Sequence, residues 1–203
     1  ANVNLQDGCD CSALMWAASC SDREGGEEIV QMLLAAGAQL DLQGRPEGST
    51  ALMLAAQRSN CTKSSTLTTV QLLLDAGAAV NAQSSQGWTA LMLASKQTRH
   101  ESSERTVQML LEAGTNVDLQ DLNGETALMM AARSSRTHST DSTVRLLINS
   151  SANVHLKSVQ GFTALTLAIV HCPPDDRTEL SSLLQQAGAE PAWIDDMYQF
   201  RDK

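Results

Sequence analysis

Histidine and cysteine are the residue types in this sequence that are best suited to nucleophilic or acid–base chemistry. The chain has four histidines and five cysteines, namely His100, His138, His155 and His171, and Cys9, Cys11, Cys20, Cys61 and Cys172. No Ser-His-Asp or Cys-His order recurs around them. His171 and Cys172 are adjacent but stand directly before two prolines, which favours a loop histidine beside a packed thiol over a catalytic pair. We therefore predict that the chain is not an enzyme and has no catalytic residues.

The same residues do not predict a metal or cofactor site. Cys9 and Cys11 supply two thiols, which is too few for a tetrahedral zinc site, and no C-x-x-C occurs. The glycines are predicted at turns and helix ends rather than in a phosphate-binding run. An odd number of unevenly spaced cysteines does not suit a disulfide framework. We expect reduced thiols in a reducing compartment, the cytoplasm or the nucleus.

The composition indicates a globular, helical protein with an acidic surface. Of the 203 residues, 42% are hydrophobic, 18% are charged and only 3% are aromatic. A core of alanine and leucine favours closely packed helices over strands. The net charge of −9 argues against duplex nucleic acid and anionic membrane surfaces as partners. No apolar run approaches the roughly 20 residues of a membrane-spanning helix, so no membrane insertion is predicted.

A repeated segment organises the chain. Its first block reads T-A-L-M or a close variant and begins at Ser12, Thr50, Thr89, Thr126 and Thr163, at spacings of 38, 39, 37 and 37 residues. A second block of the type V-Q-M-L-L-x-A-G follows the first four copies and begins at Val30, Val70, Val107 and Val144. A degenerate copy, Leu183-Leu-Gln-Gln-Ala-Gly188, follows the last. Such self-similarity is typical of repeat architectures.

Each block has a physical interpretation. The hydroxyl of the leading Ser or Thr suits a helix N-cap, and the alanines behind it allow neighbouring helices to approach closely. The second block places Val and Leu on the inner face of a second helix, and Gly37, Gly77, Gly114 and Gly188 suit the left-handed residue that ends it. Segments such as residues 116–124 predict a short hairpin between units. A unit of this kind buries its core only by stacking on its neighbours.

This pattern resembles the ankyrin repeat, a unit of about 33 residues with a T-P-L-H signature. The resemblance implies an all-α repeat solenoid in which each unit has a β-turn or hairpin and two antiparallel helices. It covers residues 1–190, with repeats at about 5–41, 42–80, 81–117, 118–154 and 155–190. T-A-L-M replaces T-P-L-H, and alanine preserves the helix. The polar segments 59–66 and 134–141 predict lengthened loops between the helices.

The two ends of the sequence carry further expectations. The segment Ala1–Leu5 matches the end of a repeat, so we expect a fragment of a larger intracellular protein. Ser181, Ser182, Gln185 and Gln186 make the last helix polar, as a capping repeat requires. Residues 191–203 are predicted to form a capping helix or a linker, with Trp193, Met197 and Phe200 on one face.

The resemblance also implies that a partner binds the concave groove formed by hairpin tips and first helices. The family positions fall in this sequence on Trp88, Glu125 and Phe162 before the first helices, on Leu122 and Val159 at the tips, and on Arg58, Lys96 and Arg133 after the first helices. Trp88 and Phe162 stand outside the expected core positions. They are either exposed binding anchors or covers for the neighbouring hairpin.

Half of the 14 basic residues are predicted at the ends of the first helices or in the long loops. These are Arg58, Lys63, Lys96, Arg99, Arg105, Arg133 and Arg136. Stacking would align them into a basic stripe that suits an acidic or phosphorylated peptide. Favourable interaction with helix dipoles explains those at helix ends equally well.

The sequence therefore predicts a monomeric protein-interaction module, a scaffold or adaptor that binds a protein or peptide and carries out no chemistry. Two alternatives remain open at this point. The array could be a structural spacer between domains, or a regulatory array that masks a neighbouring domain of the same protein.

Overall fold

The computed structural model describes residues 2–21, 25–58, 64–96, 101–134, 138–171 and 174–190. The predicted tail helix around Trp193, Met197 and Phe200 lies outside these residues. The described part forms an all-α repeat stack with short turns between helix pairs and no β-strands. Its helices are α1 Ala13–Ser19, α2 Gly26–Ala35, α3 Ala51–Arg58, α4 Ser64–Asp75, α5 Ala90–Lys96, α6 Glu101–Glu112, α7 Ala127–Ser134, α8 His138–Asn149, α9 Ala164–His171 and α10 Pro174–Gln186.

The helices stack in two rows. The first helices of the repeats contact one another in the order α1, α3, α5, α7 and α9, and the second helices do so in the order α2, α4, α6, α8 and α10. Within each repeat the first helix packs on the second. The core between the rows consists of alanine, leucine, methionine and valine, which confirms the closely packed helices that the alanine and leucine content predicted.

The first helices begin where the repeat motif predicted. The hydroxyl of Ser12 accepts a hydrogen bond from the N–H of Met15 at 3.3 Å, and Thr89 accepts one from Met92 at 3.2 Å. Thr50, Thr126 and Thr163 make the equivalent bonds. Each of these bonds satisfies one of the backbone donors left open at a helix start.

The second helices end on left-handed residues. Gly37, Gly77, Gly114 and Gly188 have φ angles between 78° and 89°, as the sequence predicted. In the fourth repeat Ser151 stands at this position with a φ of 64°. A serine in this conformation is strained because its Cβ approaches the backbone, so the fourth repeat keeps the helix end without the residue best suited to it.

The predicted long loops are partly helical. Helices α4 and α8 begin at Ser64 and His138, inside the segments 59–66 and 134–141. Thr66 and Thr69 in α4 are fully buried, so the hydroxyl-rich sequence extends the second helix instead of forming a loop. Composition misled here because a threonine hydroxyl in a helix can bond to protein groups instead of water, so hydroxyl-rich sequence need not be a solvated loop. The remainder of these loops lies outside the described residues.

The turns between repeats stack edge to edge. The N–H of Leu122 donates to the carbonyl of Gln86 at 3.0 Å, and the N–H of Val159 donates to that of Asn123 at 2.8 Å. Gly87 allows its turn to lie this close to the turn of the next repeat, since a Cβ at Gly87 would lie 2.9 Å from the Cα of Asp121. Glutamine side chains add a second row of bonds, because Gln120 donates both to Gly124 in its own turn and to Lys157 in the next repeat.

Candidate protein-binding cleft

A cleft of about 540 Å³ opens between the turns and the first helices of the third, fourth and fifth repeats. Residues before the first helices, at the turns, and within or at the ends of the first helices line it. They are Trp88, Lys96, Asp121, Asn123, Glu125, Met130, Arg133, Ser134, Ser158 and Gln160. Four of the residues that the sequence singled out, Trp88, Lys96, Glu125 and Arg133, therefore line one cleft.

Trp88 is held in place from two sides. Its indole Nε1 donates a hydrogen bond to Oδ2 of Asp121 in the next repeat at 3.1 Å. The Lys96 Nζ lies 4.6 Å from the centre of its ring, a distance at which a cation is attracted to the face of an indole. The ring is half buried and packs against the core. Trp88 therefore joins two repeats and also presents part of its surface to the cleft.

Asp121 organises the turn below Trp88. Its Oδ1 accepts hydrogen bonds from the N–H groups of Asn123 and Glu125 at 2.9 and 2.8 Å, while Oδ2 accepts from Trp88. The carboxylate is buried and charged hydrogen bonds of this kind offset the cost of its burial. The sequence reasoning did not identify Asp121. The sequence did contain a pattern that could have pointed to it. Asp or Ser recurs at the same turn position in four repeats, as Asp7, Ser84, Asp121 and Ser158, and both residue types favour such turns.

Glu125 and Arg133 form an ion pair in the wall of the cleft. Burial raises the pKa of Glu125, and the neighbouring Asp121 raises it further, while Arg133 lowers it in part. The Glu125 side chain is 11% exposed and that of Arg133 is 41% exposed. Arg133 thus neutralises a buried carboxylate and still faces solvent, whereas Glu125 is mainly a partner for Arg133 and offers a ligand little surface.

Trp88 and Phe162 lie beside the core, not in it, as partly buried residues that pack against it. Phe162 is half buried and packs against the core as Trp88 does, which fits the alternative that each ring covers its surroundings better than the alternative of a fully exposed anchor. Phe162 does not line the cleft. Leu122 and Val159, at neighbouring turn tips, are 67% and 78% exposed and form an apolar surface beside the cleft.

The predicted basic stripe is only partly assembled in the described residues. Arg58, Lys96 and Arg133 are exposed at or near the ends of α3, α5 and α7, where the helix dipole favours a cation. Arg105 does not belong to a loop, since it lies in α6 and donates to Gln108. Lys63, Arg99 and Arg136 lie outside the described residues.

Trp16 is an exposed aromatic residue that the sequence reasoning missed. It is 54% exposed on α1, and its Nε1 donates to Oδ2 of Asp7 at 2.9 Å. This bond, together with the N–H groups of Cys11 and Cys9, lowers the pKa of Asp7. Trp16 occupies the same position in its first helix as Met130, which lines the cleft. Aligning the repeats could therefore have identified Trp16 from the sequence.

Some of the residues considered for chemistry lie in the described part of the chain. The described cysteines Cys9, Cys11 and Cys20 are free thiols. Within the described ranges, no group of three or more metal-binding side chains comes together. In the same part of the chain, no helix is long and apolar enough to cross a membrane.

Comparison with known proteins agrees with this architecture. The sequence model for ankyrin repeats (3 copies) matches residues 14–121 and 98–192. The chain therefore belongs to the ankyrin repeat family. Ankyrin repeats are generally non-catalytic modules for protein–protein interaction.

A solved structure supports the same conclusion. The crystal structure of an ankyrin repeat domain from Acinetobacter baumannii superposes with a TM-score of 0.79 at 25% sequence identity, over 94% of this chain and 88% of that one. No curated protein sequence matches the chain.

Proposed function

We propose that this chain is a protein-interaction module that binds an acidic segment of a partner protein in the cleft beside Trp88. The family supports the general activity, and the cleft supports the position. The observation that carries the proposal is that two exposed cations, Lys96 and Arg133, line the same cleft as a half-buried indole.

The hydrogen-bonding capacity of the cleft favours an anionic ligand. The acceptors of Asp121 are engaged by Trp88, Asn123 and Glu125, and the Glu125 carboxylate is paired with Arg133. By contrast, the ammonium of Lys96 lies over the Trp88 ring and the guanidinium of Arg133 is paired with one carboxylate, that of Glu125. Both groups have several N–H donors, so these contacts do not use all of them. A partner carboxylate or phosphate would use these donors, while the Trp88 surface would contact an adjacent apolar side chain.

Binding at this site involves no covalent chemistry, and we propose that the module acts as a monomer. The absence of a regular cysteine pattern supports the cytoplasm or the nucleus as its location. Residues 1–190 would act as one rigid domain of about five repeats, with 191–203 as a cap or linker.

The test is a peptide array of acidic, phosphorylated and basic sequences probed with the full chain. We expect acidic or phosphorylated peptides to be retained, and Lys96→Glu to weaken their binding by about tenfold or more, because it replaces an attraction with a repulsion. Arg105→Glu is the matched control, since it makes the same charge change on α6, away from the cleft.

Trp88→Ala should weaken binding further, by about 2 kcal/mol, but it also removes the bond to Asp121, so circular dichroism must accompany it. Equal loss with Lys96→Glu and Arg105→Glu would contradict the site. Retention of basic peptides alone would contradict the ligand class, and retention of no peptide would favour a spacer role.

A further inference from the structure

Two sulfur atoms of the first repeat meet at a glycine of the second. Cys11 ends the turn before α1, and Met15 lies buried in the first turn of that helix. A Cβ built on Gly44 would lie 2.8 Å from Sγ of Cys11 and 3.1 Å from Sδ of Met15. The thiol and the thioether therefore approach the same point, and they do so in space that a side chain at Gly44 would fill.

Gly44 is an exception at its position in the turn. The equivalent residues of the other four repeats are Asp7, Ser84, Asp121 and Ser158. At a later junction, the side chain of Asp121 bonds to Trp88 of the preceding repeat, and Cys11 is the counterpart of Trp88. The φ angle of Gly44 is not positive, so its conformation does not require glycine. What the glycine provides is room for the two sulfurs.

A second thiol, that of Cys9, belongs to the same side of the turn. Cys9 and Cys11 correspond to Asn123 and Glu125 of the fourth repeat, and both of those residues line the cleft. The Sγ of Cys11 donates to the carbonyl of Cys9 at 3.6 Å. Cys9 is exposed and Cys11 is half buried, so an ion could reach the pair from solvent.

Hydrogen bonds hold this turn in shape. Oδ1 of Asp7 accepts from the N–H groups of Cys9 and Cys11 at 2.8 and 3.0 Å. The N–H of Arg45 in the second repeat donates to the carbonyl of Cys9 at 2.7 Å. Both cysteines are thus positioned before any ligand arrives, which favours binding.

The charges around Cys11 disfavour a bare thiolate and favour a cation. Burial raises the pKa of Cys11, and the negative charges of Asp7, Cys9 and Asp10 raise it further. The thiol therefore remains protonated when no cation is present. A cation that replaced the proton would be attracted by the same neighbouring charges.

We propose that Cys9 and Cys11 bind one copper(I) ion, with the thioether of Met15 as a weaker third donor. Two thiols are too few for tetrahedral zinc, and no three His, Cys, Asp or Glu side chains of the described residues form a metal site. Copper(I) prefers thiolate and thioether ligands and is satisfied by two or three of them. Binding releases the protons of both thiols and transfers no electron. The site lies apart from the cleft and does not depend on the proposed function.

The test is a titration of the reduced full chain with copper(I) under nitrogen, in competition with bicinchoninate, a chelator whose copper(I) complex is coloured. We expect each chain to withdraw one copper ion from the chelator. Cys9→Ser should abolish this withdrawal, because it removes one of the two thiolates. Cys9 is exposed, so this variant should keep the fold, which circular dichroism checks.

Two further variants make the result specific. Cys20→Ser is the matched control, since Cys20 is also a free thiol but follows the opposite end of α1, and it should bind copper as the unchanged chain does. Met15→Leu nearly conserves volume and should weaken the copper affinity by about tenfold, as changes beside metal-bound thiolates do. X-ray absorption at the copper edge should then show fewer sulfur neighbours.

Failure of the reduced chain to take copper from the chelator would overturn the proposal. Equal binding by Cys9→Ser and the unchanged chain would also overturn it, since the copper would then lie on other thiols. One copper per two chains would place the ion between molecules and would overturn the site within one chain. An unchanged affinity in Met15→Leu would overturn the role assigned to the thioether.

Discussion

Two tryptophan–aspartate hydrogen bonds in the described residues differ in what they join. At the junction of the third and fourth repeats, Trp88 bonds to Asp121, which lies 33 residues further along the chain, and the ring is half buried. In the first repeat, Trp16 bonds to Asp7 within the same repeat and is 54% exposed. The first bond connects two repeats, whereas the second holds one side chain to its own turn.

This difference shows that burial in the stack depends on neighbours more than on residue type. The same indole–carboxylate chemistry gives a junction in one place and a surface feature in the other. A substitution should therefore be costly where a preceding or following repeat covers the residue, and mild where it does not. Two pairs of variants test this rule, and a third pair gives a contrast at positions where neighbours should not matter; they follow in order of expected effect.

The largest effect should come from leucine on the second helices. Leu73 is fully buried, so Leu73→Ala should lower the free energy of unfolding by about 2–5 kcal/mol through lost burial and a cavity. Leu33 occupies the same position in α2 but is only half buried, and Leu33→Ala should cost less than half as much. Urea unfolding of both variants measures the difference, and equal costs would refute the dependence on neighbours.

The tryptophan pair should give an intermediate effect. Trp88→Phe keeps a ring but removes the N–H, which leaves an oxygen of the buried Asp121 without that donor and should cost about 1.5–3 kcal/mol of stability. Trp16→Phe is the matched change at an exposed bond, and we expect no measurable shift in its urea midpoint. A similar loss in both variants would show that the indole bond acts locally, whichever repeats it joins.

The smallest effect concerns the helix ends, where conformation should matter and neighbours should not. Ser151→Gly should stabilise the protein by about 1 kcal/mol, because glycine adopts the positive φ without strain. Gly114→Ser is the reverse change at the equivalent residue and should destabilise by a similar amount. Thermal unfolding compares the two, and a destabilised Ser151→Gly variant would mean that the serine side chain has a role of its own.

The repeat motif predicted the fold well because its features act locally. The caps at Ser12 and Thr89 and the helix end at Gly114 depend on the residue and its immediate neighbours, so the sequence alone locates them. The start of α4 was harder to predict, because the polar segment before Val70 reads as a loop until the core that receives Thr66 is known.

The candidate site was less predictable for a related reason. Spacing identified Trp88, Lys96, Glu125 and Arg133, but it did not show that Arg133 neutralises Glu125 or that Asp121 fixes the indole. These contacts form between side chains that no local rule brings together. The sequence left open whether Trp88 and Phe162 are exposed anchors or covers, because the sequence of one repeat does not reveal how much of each ring its surroundings will cover.

The bonds between repeats also determine how the chain can fold. In the described part, the side-chain hydrogen bonds that join neighbouring repeats link residues 33 to 40 positions apart. Closing a loop costs entropy that grows with its length, and here the length is about one repeat wherever along the stack the loop forms. Each repeat that joins the stack therefore meets nearly the same entropic barrier as the one before it, so a longer array need not fold through longer loops.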